Sequence, residues 1–98
     1  MTVEYNSKTL EKVCTDASFA AKKYGTEMAG KIHHRIDEIK AIDSVEQMIQ
    51  FRIGRCHPLK GNRKNQFAVD LVQPYRLVFE KKGDRIQIAN ILEIVDYH

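Results

Sequence analysis

The chain has 98 residues, of which 43% are hydrophobic and 30% are charged. This composition predicts one small globular domain and excludes a disordered chain. No apolar run approaches the roughly 18 residues of a membrane span, and the start MTVEYNSK lacks the regions of a signal peptide. We therefore expect a cytoplasmic protein with no membrane partner. Cys14 and Cys56 are interpreted as free thiols in a reducing compartment, with one disulfide as the alternative.

Positive charge is concentrated in one segment. Of the 16 basic and 13 acidic residues, five basic and no acidic ones lie between Gln47 and Val69, so the remainder carries 11 and 13. The five cations are Arg52, Arg55, Lys60, Arg63 and Lys64. A cationic patch on a nearly neutral body is typical of a polyanion-binding protein. The alternative is a solvated loop whose cations provide solubility.

The N-terminal part predicts a strand followed by two helices. The first five residues alternate as a short strand does. Asn6-Ser7 is typical of a helix N-cap, and apolar residues then recur at spacings of three and four. An interruption is expected at Thr15-Asp16. The second helix continues to about Ala41, weakened at Gly25 and Gly30.

Beyond the second helix, a short third helix precedes a change of period. Ser44-Val45-Glu46-Gln47 matches a capping box, and Gly54 is expected to end this helix. Alternation then predicts strands over 66–71 and 75–80, which are separated by a turn at Gln73-Pro74.

The last strand is expected from about Arg85 to Val95, after a tight turn at Lys82-Gly83-Asp84. Its apolar pattern shifts phase near Ala89-Asn90, which indicates a bulge. Helices followed by an antiparallel meander predict an α+β fold, with one domain over 1–98. The N-terminal strand and helices would pack on one face of a C-terminal antiparallel sheet.

The segment RCHPLKGNRKNQ, from Arg55 to Gln66, gathers most of the chemically useful side chains. Pro58 fixes one backbone angle and Gly61 permits a sharp turn, so a rigid turn would present the cations. Such a turn suits phosphate contact, although its glycine spacing excludes a P-loop. The polar side chains in question are His57, Lys60, Arg63 and Lys64.

Arg76 interrupts an apolar strand, on the same face as Val78. Because a buried lone charge is costly, Arg76 predicts either a site residue or a structural ion pair with Asp70 or Glu80.

The histidines could also be solvated surface residues or metal ligands. His33-His34 are interpreted as solvated side chains of the long helix. Cys56, His57 and His98 together are an alternative metal-binding set, but their spacing matches no zinc pattern, and we expect no metal or cofactor.

The chain ends on Asp96-Tyr97-His98, which is either a polar tail or part of a site. On an extended strand Asp96 and His98 share one face and Tyr97 takes the other. With His57, these residues can carry protons near neutral pH. Lys60, Arg63 and Arg76 can stabilise developing negative charge.

Such a set predicts metal-independent cleavage of RNA. A base removes the 2′-hydroxyl proton, the oxygen attacks the adjacent phosphate, and an acid protonates the leaving 5′-oxygen. DNA lacks that hydroxyl. His57 or Asp96 would be the base and His98 the acid, with the two roles exchangeable, while Tyr97 would stack on a base or assist proton transfer.

The segments Gly54–Glu80 and LEIVDYH, Leu92–His98, resemble the HigB type of RelE-superfamily toxins. SKTLEKVCTD and KKYGTEMAGKIHHRIDEIK are similar to the helical half of that family. The resemblance covers nearly the whole chain, although the segment EKKGDRIQIAN between the last two strands is shorter than in some relatives.

The resemblance implies a microbial-RNase-like α+β domain. It also implies a ribosome-dependent endoribonuclease that cuts mRNA in the A site and is neutralised by a HigA-like helix-turn-helix antitoxin. By resemblance, Arg76 matches a phosphate-contacting arginine and Lys60 a loop lysine. The matched active-site positions are His57, Asp96, Tyr97 and His98. The residues expected to bind RNA are Arg55, Lys60, Arg63 and Lys64. The alternatives are a catalytically inactive RNA- or antitoxin-binding module and a metal-binding protein.

Overall fold

Four helices and a five-stranded sheet form two layers, which confirms the predicted α+β class. The computed structural model describes residues 1–97, so His98 lies outside the described residues. The strands are β1 (Thr2–Tyr5), β2 (His57–Pro58), β3 (Gln66–Asp70), β4 (Tyr75–Lys82) and β5 (Ile88–Asp96). The helices are α1 (Lys8–Thr15), α2 (Ala17–Tyr24), α3 (Thr26–Ala41) and α4 (Val45–Gln50).

The sheet has the order β1-β5-β4-β3-β2 and is mostly antiparallel. Only β1 runs parallel to its neighbour, β5, among the described strands. The bulge expected near Ala89-Asn90 lies further along the strand. Val78 pairs with Glu93 and Phe79 pairs with Ile91, so Leu92 is the additional residue. This shift decides which β5 side chains face each side of the sheet.

The helix starts follow the capping residues, but one helix boundary was misplaced. The Ser7 hydroxyl accepts from the Leu10 N–H, and the Asp16 carboxylate caps α2 through the Phe19 N–H, as the interruption there predicts. The single long helix is wrong, because the chain divides it at Gly25. That residue has φ 90°, a conformation that glycine adopts without steric cost. Gly30 stays inside α3.

The third predicted helix, α4, is present with its cap and is shorter than expected. Ser44 accepts a hydrogen bond from the Gln47 N–H at 3.1 Å. The helix ends at Gln50, and a separate 3₁₀ turn, Ile53–Arg55, follows it. Gly54 lies inside this turn with φ 56° and does not end the helix.

The hydrophobic core lies between the helices and one side of the sheet, the helix face. Its largest fully buried side chains include Ile32, Ile39, Met48, Leu77, Phe79 and Ile91. His33 belongs partly to this layer. It is half-buried, and its Nε2 lies 3.2 Å from the Val13 carbonyl oxygen, so the solvated interpretation of His33 is wrong. His34 is exposed as expected, 3.6 Å from Glu38.

Both cysteines are buried free thiols. Burial raises the pKa of Cys14 and of Cys56 to about 12, because the charged thiolate loses its hydration. Such thiols are poor nucleophiles at neutral pH. Within residues 1–97, no helix combines the length and the apolar character that a membrane crossing requires.

Candidate functional site

The second side of the sheet carries polar side chains over a small apolar floor. We call it the open face and define it by the side chains His57, Asp70, Arg76, Val78 and Glu93. The register aligns His57 with Ala68, Ala68 with Val78 and Val78 with Glu93 across four strands. Ala68 and Val78 are fully buried yet lie outside the main core. The polar groups therefore stand on a dry surface, where charges interact more strongly than in water.

His57 comes from the two-residue strand β2, which had no sequence prediction because it is too short to show a period. Its Nδ1 lies 2.9 Å from the Arg55 carbonyl oxygen. A carbonyl oxygen only accepts, so Nδ1 carries the proton in the neutral ring, and Nε2 keeps the lone pair. This tautomer equips Nε2 to take a proton, or to give one when the ring is charged.

Arg76 shares the open face with Val78, as its spacing predicts, and it faces Asp70. The two are direct cross-strand partners, and Arg76 Nε lies 3.6 Å from Asp70 Oδ1. Arg55 reaches the same carboxylate through Nε, in a short contact with Asp70 Oδ2. The structure thus supplies the ion pair that the structural interpretation of Arg76 required, with Asp70 rather than Glu80 as its partner.

A third arginine, Arg35 of α3, holds the backbone of Asp70 from the helix side of the sheet. Arg35 Nε donates to the Asp70 carbonyl oxygen at 2.7 Å, and Arg35 Nη1 donates to Glu38 Oε1 at 2.7 Å. Arg35 passes close to Gly54, where an added Cβ would lie 2.8 Å from Arg35 Nε. Gly54 therefore provides both a positive φ and the room for this arginine.

Arg63 forms a second paired group at the edge of the open face. Its guanidinium donates to Glu93 at 2.8 Å and to the Gln66 side-chain oxygen at 2.8 Å. The segment from Gln47 to Val69 contains no acid, but folding brings Asp70 and Glu93 against its arginines. The local charge is consequently lower than the sequence alone indicates.

The predicted loop lysines remain in solvent. Lys60 and Lys64 are exposed in the connection between β2 and β3. The connection itself is well defined, because Leu59 N donates to Gln66 O at 2.9 Å and Lys81 N donates to Asn65 O at 2.8 Å. Two flexible cations on a fixed turn are suited to contacting a backbone phosphate at varied positions.

At the chain end, Asp96 and Tyr97 lie on opposite faces of the sheet. Asp96 pairs with Tyr75, whose ring packs at the helix face. Tyr97 follows on the open face, with its ring centroid 4.7 Å from the Arg76 guanidinium carbon. The Tyr97 N–H also donates to the Pro74 carbonyl at 3.0 Å, which anchors the strand end. The third predicted member, His98, lies outside the described residues.

The open face therefore brings together His57, Arg55, Arg76 and Tyr97, with Arg63 at the edge. Reasoning from the sequence missed two residues of this arrangement, Glu93 and Arg35. It also missed the stacking of Tyr97 on Arg76. The sequence predicts Asp70 only as a structural ion-pair partner of Arg76. Its position opposite Arg76 follows from counting outward from the turn at Gln73-Pro74, so a signal for its place in the site was present.

No group of three His, Cys, Asp or Glu side chains within residues 1–97 is placed to hold a metal ion. Cys56 is buried while its neighbour His57 is half-exposed on the open face. The third ligand of the metal interpretation, His98, lies beyond the part of the chain that is described.

The architecture is that of the RelE/YoeB-like α+β fold. A solved structure described as "YoeB/ParE toxin from Agrobacterium tumefaciens" matches the chain with a TM-score of 0.67, covering 100% of both chains at 17% sequence identity. At this identity the similarity concerns the fold. No family model matches the sequence. The search of curated proteins also found no significant match.

Proposed function

We propose that the protein is a ribosome-dependent mRNA endoribonuclease of the HigB type, the toxin of a toxin–antitoxin pair. The observation that carries the proposal is the juxtaposition of a proton-carrying imidazole, His57, with Arg76 and its stacked Tyr97 on an open sheet face. Phosphoryl transfer from the 2′-hydroxyl needs a base, an acid and a cation at the phosphate, and needs no metal. The solved toxin with the same fold supports this choice.

In this mechanism His57 Nε2 removes the 2′-hydroxyl proton, since Asp96, the other candidate base, lies beside Tyr75 toward the helix face. The 2′-oxygen attacks phosphorus and the bond to the 5′-oxygen breaks, with His98 as the candidate proton donor to that oxygen. Arg76 neutralises the charge that grows on the phosphorane. Arg55, Lys60, Arg63 and Lys64 hold the flanking backbone, and Tyr97 fixes the Arg76 plane and offers a ring edge to a base.

A second function has one specific observation in its favour. Asp70 and Glu93 neutralise part of the arginine charge, as they would in a catalytically inactive module that binds RNA or an antitoxin. Under both functions a cognate helix-turn-helix antitoxin would cover the segment from Arg55 to Lys64, distort it, or block entry to the ribosome sterically, and the protein would act in the cytoplasm.

The deciding experiment measures mRNA cleavage on purified ribosomes, together with growth arrest on induction. We expect the wild type to cut mRNA only when ribosomes are present, and His57→Ala to lose about a hundredfold or more of that rate. His34→Ala removes an exposed imidazole of α3 and serves as the matched control, with an unchanged rate. A wild-type protein that binds ribosomes without cutting mRNA identifies the binding module instead.

A further inference from the structure

Asp70 lies on the open face at the end of β3, between two arginines that the proposed function assigns to phosphate. The Asp70 side chain is only 11% exposed, whereas that of Arg55 is 72% exposed and that of Arg76 is 27% exposed. The carboxylate is therefore the least accessible charge of the three. Two guanidinium groups facing one partly buried carboxylate leave the cluster with one net positive charge.

The contact between Arg76 and Asp70 is electrostatic and not a completed hydrogen bond. The 3.6 Å separation exceeds hydrogen-bonding distance. Both atoms, Arg76 Nε and Asp70 Oδ1, are buried and form no hydrogen bond among residues 1–97. Buried polar atoms in this condition are uncommon and costly. Arg76 Nε is thus held near an anion without a completed hydrogen bond, while the guanidinium as a whole is partly exposed and able to bind another anion.

Asp70 cannot withdraw from this position, but its partners can. Its backbone belongs to β3, its carbonyl accepts from Arg35, and its side chain faces Arg76 across the strands. Arg55, by contrast, projects from the 3₁₀ turn into solvent. An arriving phosphate can therefore draw the guanidinium of Arg55 away while the carboxylate stays in place.

We propose that Asp70 is an internal counter-anion that competes with the substrate phosphate for Arg55 and Arg76. It is a positioning residue: it keeps the two arginines ordered and partly neutralised in the free protein and yields them to RNA. The inference rests on the proposed function, because it takes RNA phosphate as the external anion. It follows that Asp70 stabilises the free protein and weakens RNA binding at the same time.

The test measures affinity for a short single-stranded RNA carrying 2′-O-methyl groups, which cannot be cleaved by 2′-hydroxyl attack. Asp70→Asn removes the charge with little change of shape, and we expect RNA to bind roughly tenfold more tightly, since close charges in a partly buried site interact strongly. Asp70→Glu retains the charge and should stay near the wild-type affinity. Asp37→Asn removes an exposed charge from α3 and should change affinity by less than about twofold, because salt screens it.

The salt dependence gives a readout that a purely structural role would not move. Each arginine released to a phosphate should steepen the slope of log affinity against log salt by about 0.7 for a single strand. In an Arg55→Ala/Arg76→Ala background, Asp70→Asn should gain no more than the Asp37 control. An Asp70→Asn protein that binds RNA more weakly, or no more tightly than Asp37→Asn, overturns the inference.

A wild-type measurement covers the case in which Asp70→Asn does not fold. Side-chain NMR signals of Arg55 Nε, Arg76 Nε and the Asp70 carboxyl carbon should all shift when the RNA is added. Arginine shifts without any Asp70 shift overturn the inference and leave the proposed function intact. If neither wild type nor Asp70→Asn binds the RNA, the inference falls while ribosome-dependent cleavage still decides the proposed function, whereas binding that appears only in Asp70→Asn supports the competition in its strongest form.

Discussion

The two faces of the sheet share their strands but differ in what they bury. On the helix face, Leu77 and Phe79 of β4 are fully enclosed by apolar neighbours. One residue away on the open face, Arg76 faces the Asp70 carboxylate, and Val78 forms part of the apolar floor beneath the charged groups. Alternation along a strand makes this division possible, because successive side chains point to opposite sides. One face supplies stability by removing apolar area from water. The other holds charges near an apolar floor, where they act strongly on a bound anion.

This division predicts that adjacent positions of β4 affect different measurements. A substitution at Phe79 should lower the free energy of unfolding and affect RNA cleavage only through loss of folded protein. A substitution at Arg76 should do the reverse. Substitutions on each face measure how completely stability and cleavage separate between the two.

Phe79→Ala should produce the largest change, a loss of about 3–5 kcal/mol in the free energy of unfolding. Phe79 is fully buried and stacks on Phe67 with ring centroids 5.8 Å apart, so truncation leaves a cavity. Urea denaturation measures the loss. Phe51→Ala is the control, because that ring is 64% exposed and should cost less than about 0.5 kcal/mol. Equal costs for the two variants would show that the helix face is not the source of stability.

Arg76→Ala should lower ribosome-dependent mRNA cleavage by about a hundredfold, as the loss of a charge-stabilising donor does in other enzymes. The unfolding free energy should fall by less than about 1 kcal/mol, because Asp70 keeps its contact with Arg55. Single-turnover cleavage and urea denaturation of the same preparation measure both quantities. Arg85→Ala, an exposed arginine in the β4–β5 turn, is the matched control. A folded Arg76→Ala protein that cleaves normally would restore the structural-ion-pair interpretation.

Tyr97 tests a smaller part of the open face. Tyr97→Ala should reduce cleavage by about three- to tenfold, since a ring over a partly exposed guanidinium contributes about 0.5–1 kcal/mol or somewhat more. Tyr97→Phe keeps the ring and loses only the hydroxyl, so it should retain most of the rate if stacking on Arg76 is the role. A Phe variant as slow as the Ala variant would instead assign proton transfer to the hydroxyl.

How much of the open face was predictable depended on which contacts are local. Asp70 and Arg76 lie either side of the turn at Gln73-Pro74, and hairpin geometry alone makes them partners. The approach of Arg63 to Glu93 was not predictable, because the bulge at Leu92 changes the register of β5 and its position was misjudged. Arg35 was missed for another reason: its reach to β3 depends on how α3 docks on the sheet, which no local pattern encodes.

The starts and ends of the helices were likewise predictable from the sequence only in part. Ser7, Asp16 and Ser44 were recognisable as caps because their side-chain oxygens accept from N–H groups three residues later, a local relation. The break at Gly25 was underestimated, since an amphipathic pattern continues across it and periodicity cannot distinguish a bent helix from two helices.

The smallest expected effect is at Glu46, which makes a charged contact on the helix side of the sheet. The Gln87 amide, which donates to Glu46 at 2.7 Å, holds the pKa of that carboxyl below its ordinary 4.5, and a backbone hydrogen bond and Lys81 add to this. A lowered folded-state pKa stabilises the fold above the ordinary pKa, and this contribution is lost as pH falls through the folded-state value. Glu46→Gln should therefore be slightly less stable than wild type near pH 7, by under about 1 kcal/mol because the group is solvent-screened.

The difference should close as pH falls below the ordinary carboxyl pKa, and thermal unfolding of both proteins across that range measures it. Glu46 belongs to α4 and pairs with Lys81, a β4 residue on the helix face, at 3.2 Å. RNA affinity should consequently be unchanged in Glu46→Gln at neutral pH, in contrast to Asp70→Asn. A Glu46→Gln protein that binds RNA as tightly as Asp70→Asn would mean that removing any carboxylate strengthens binding. The separation of the two faces would then hold for apolar side chains but not for charges.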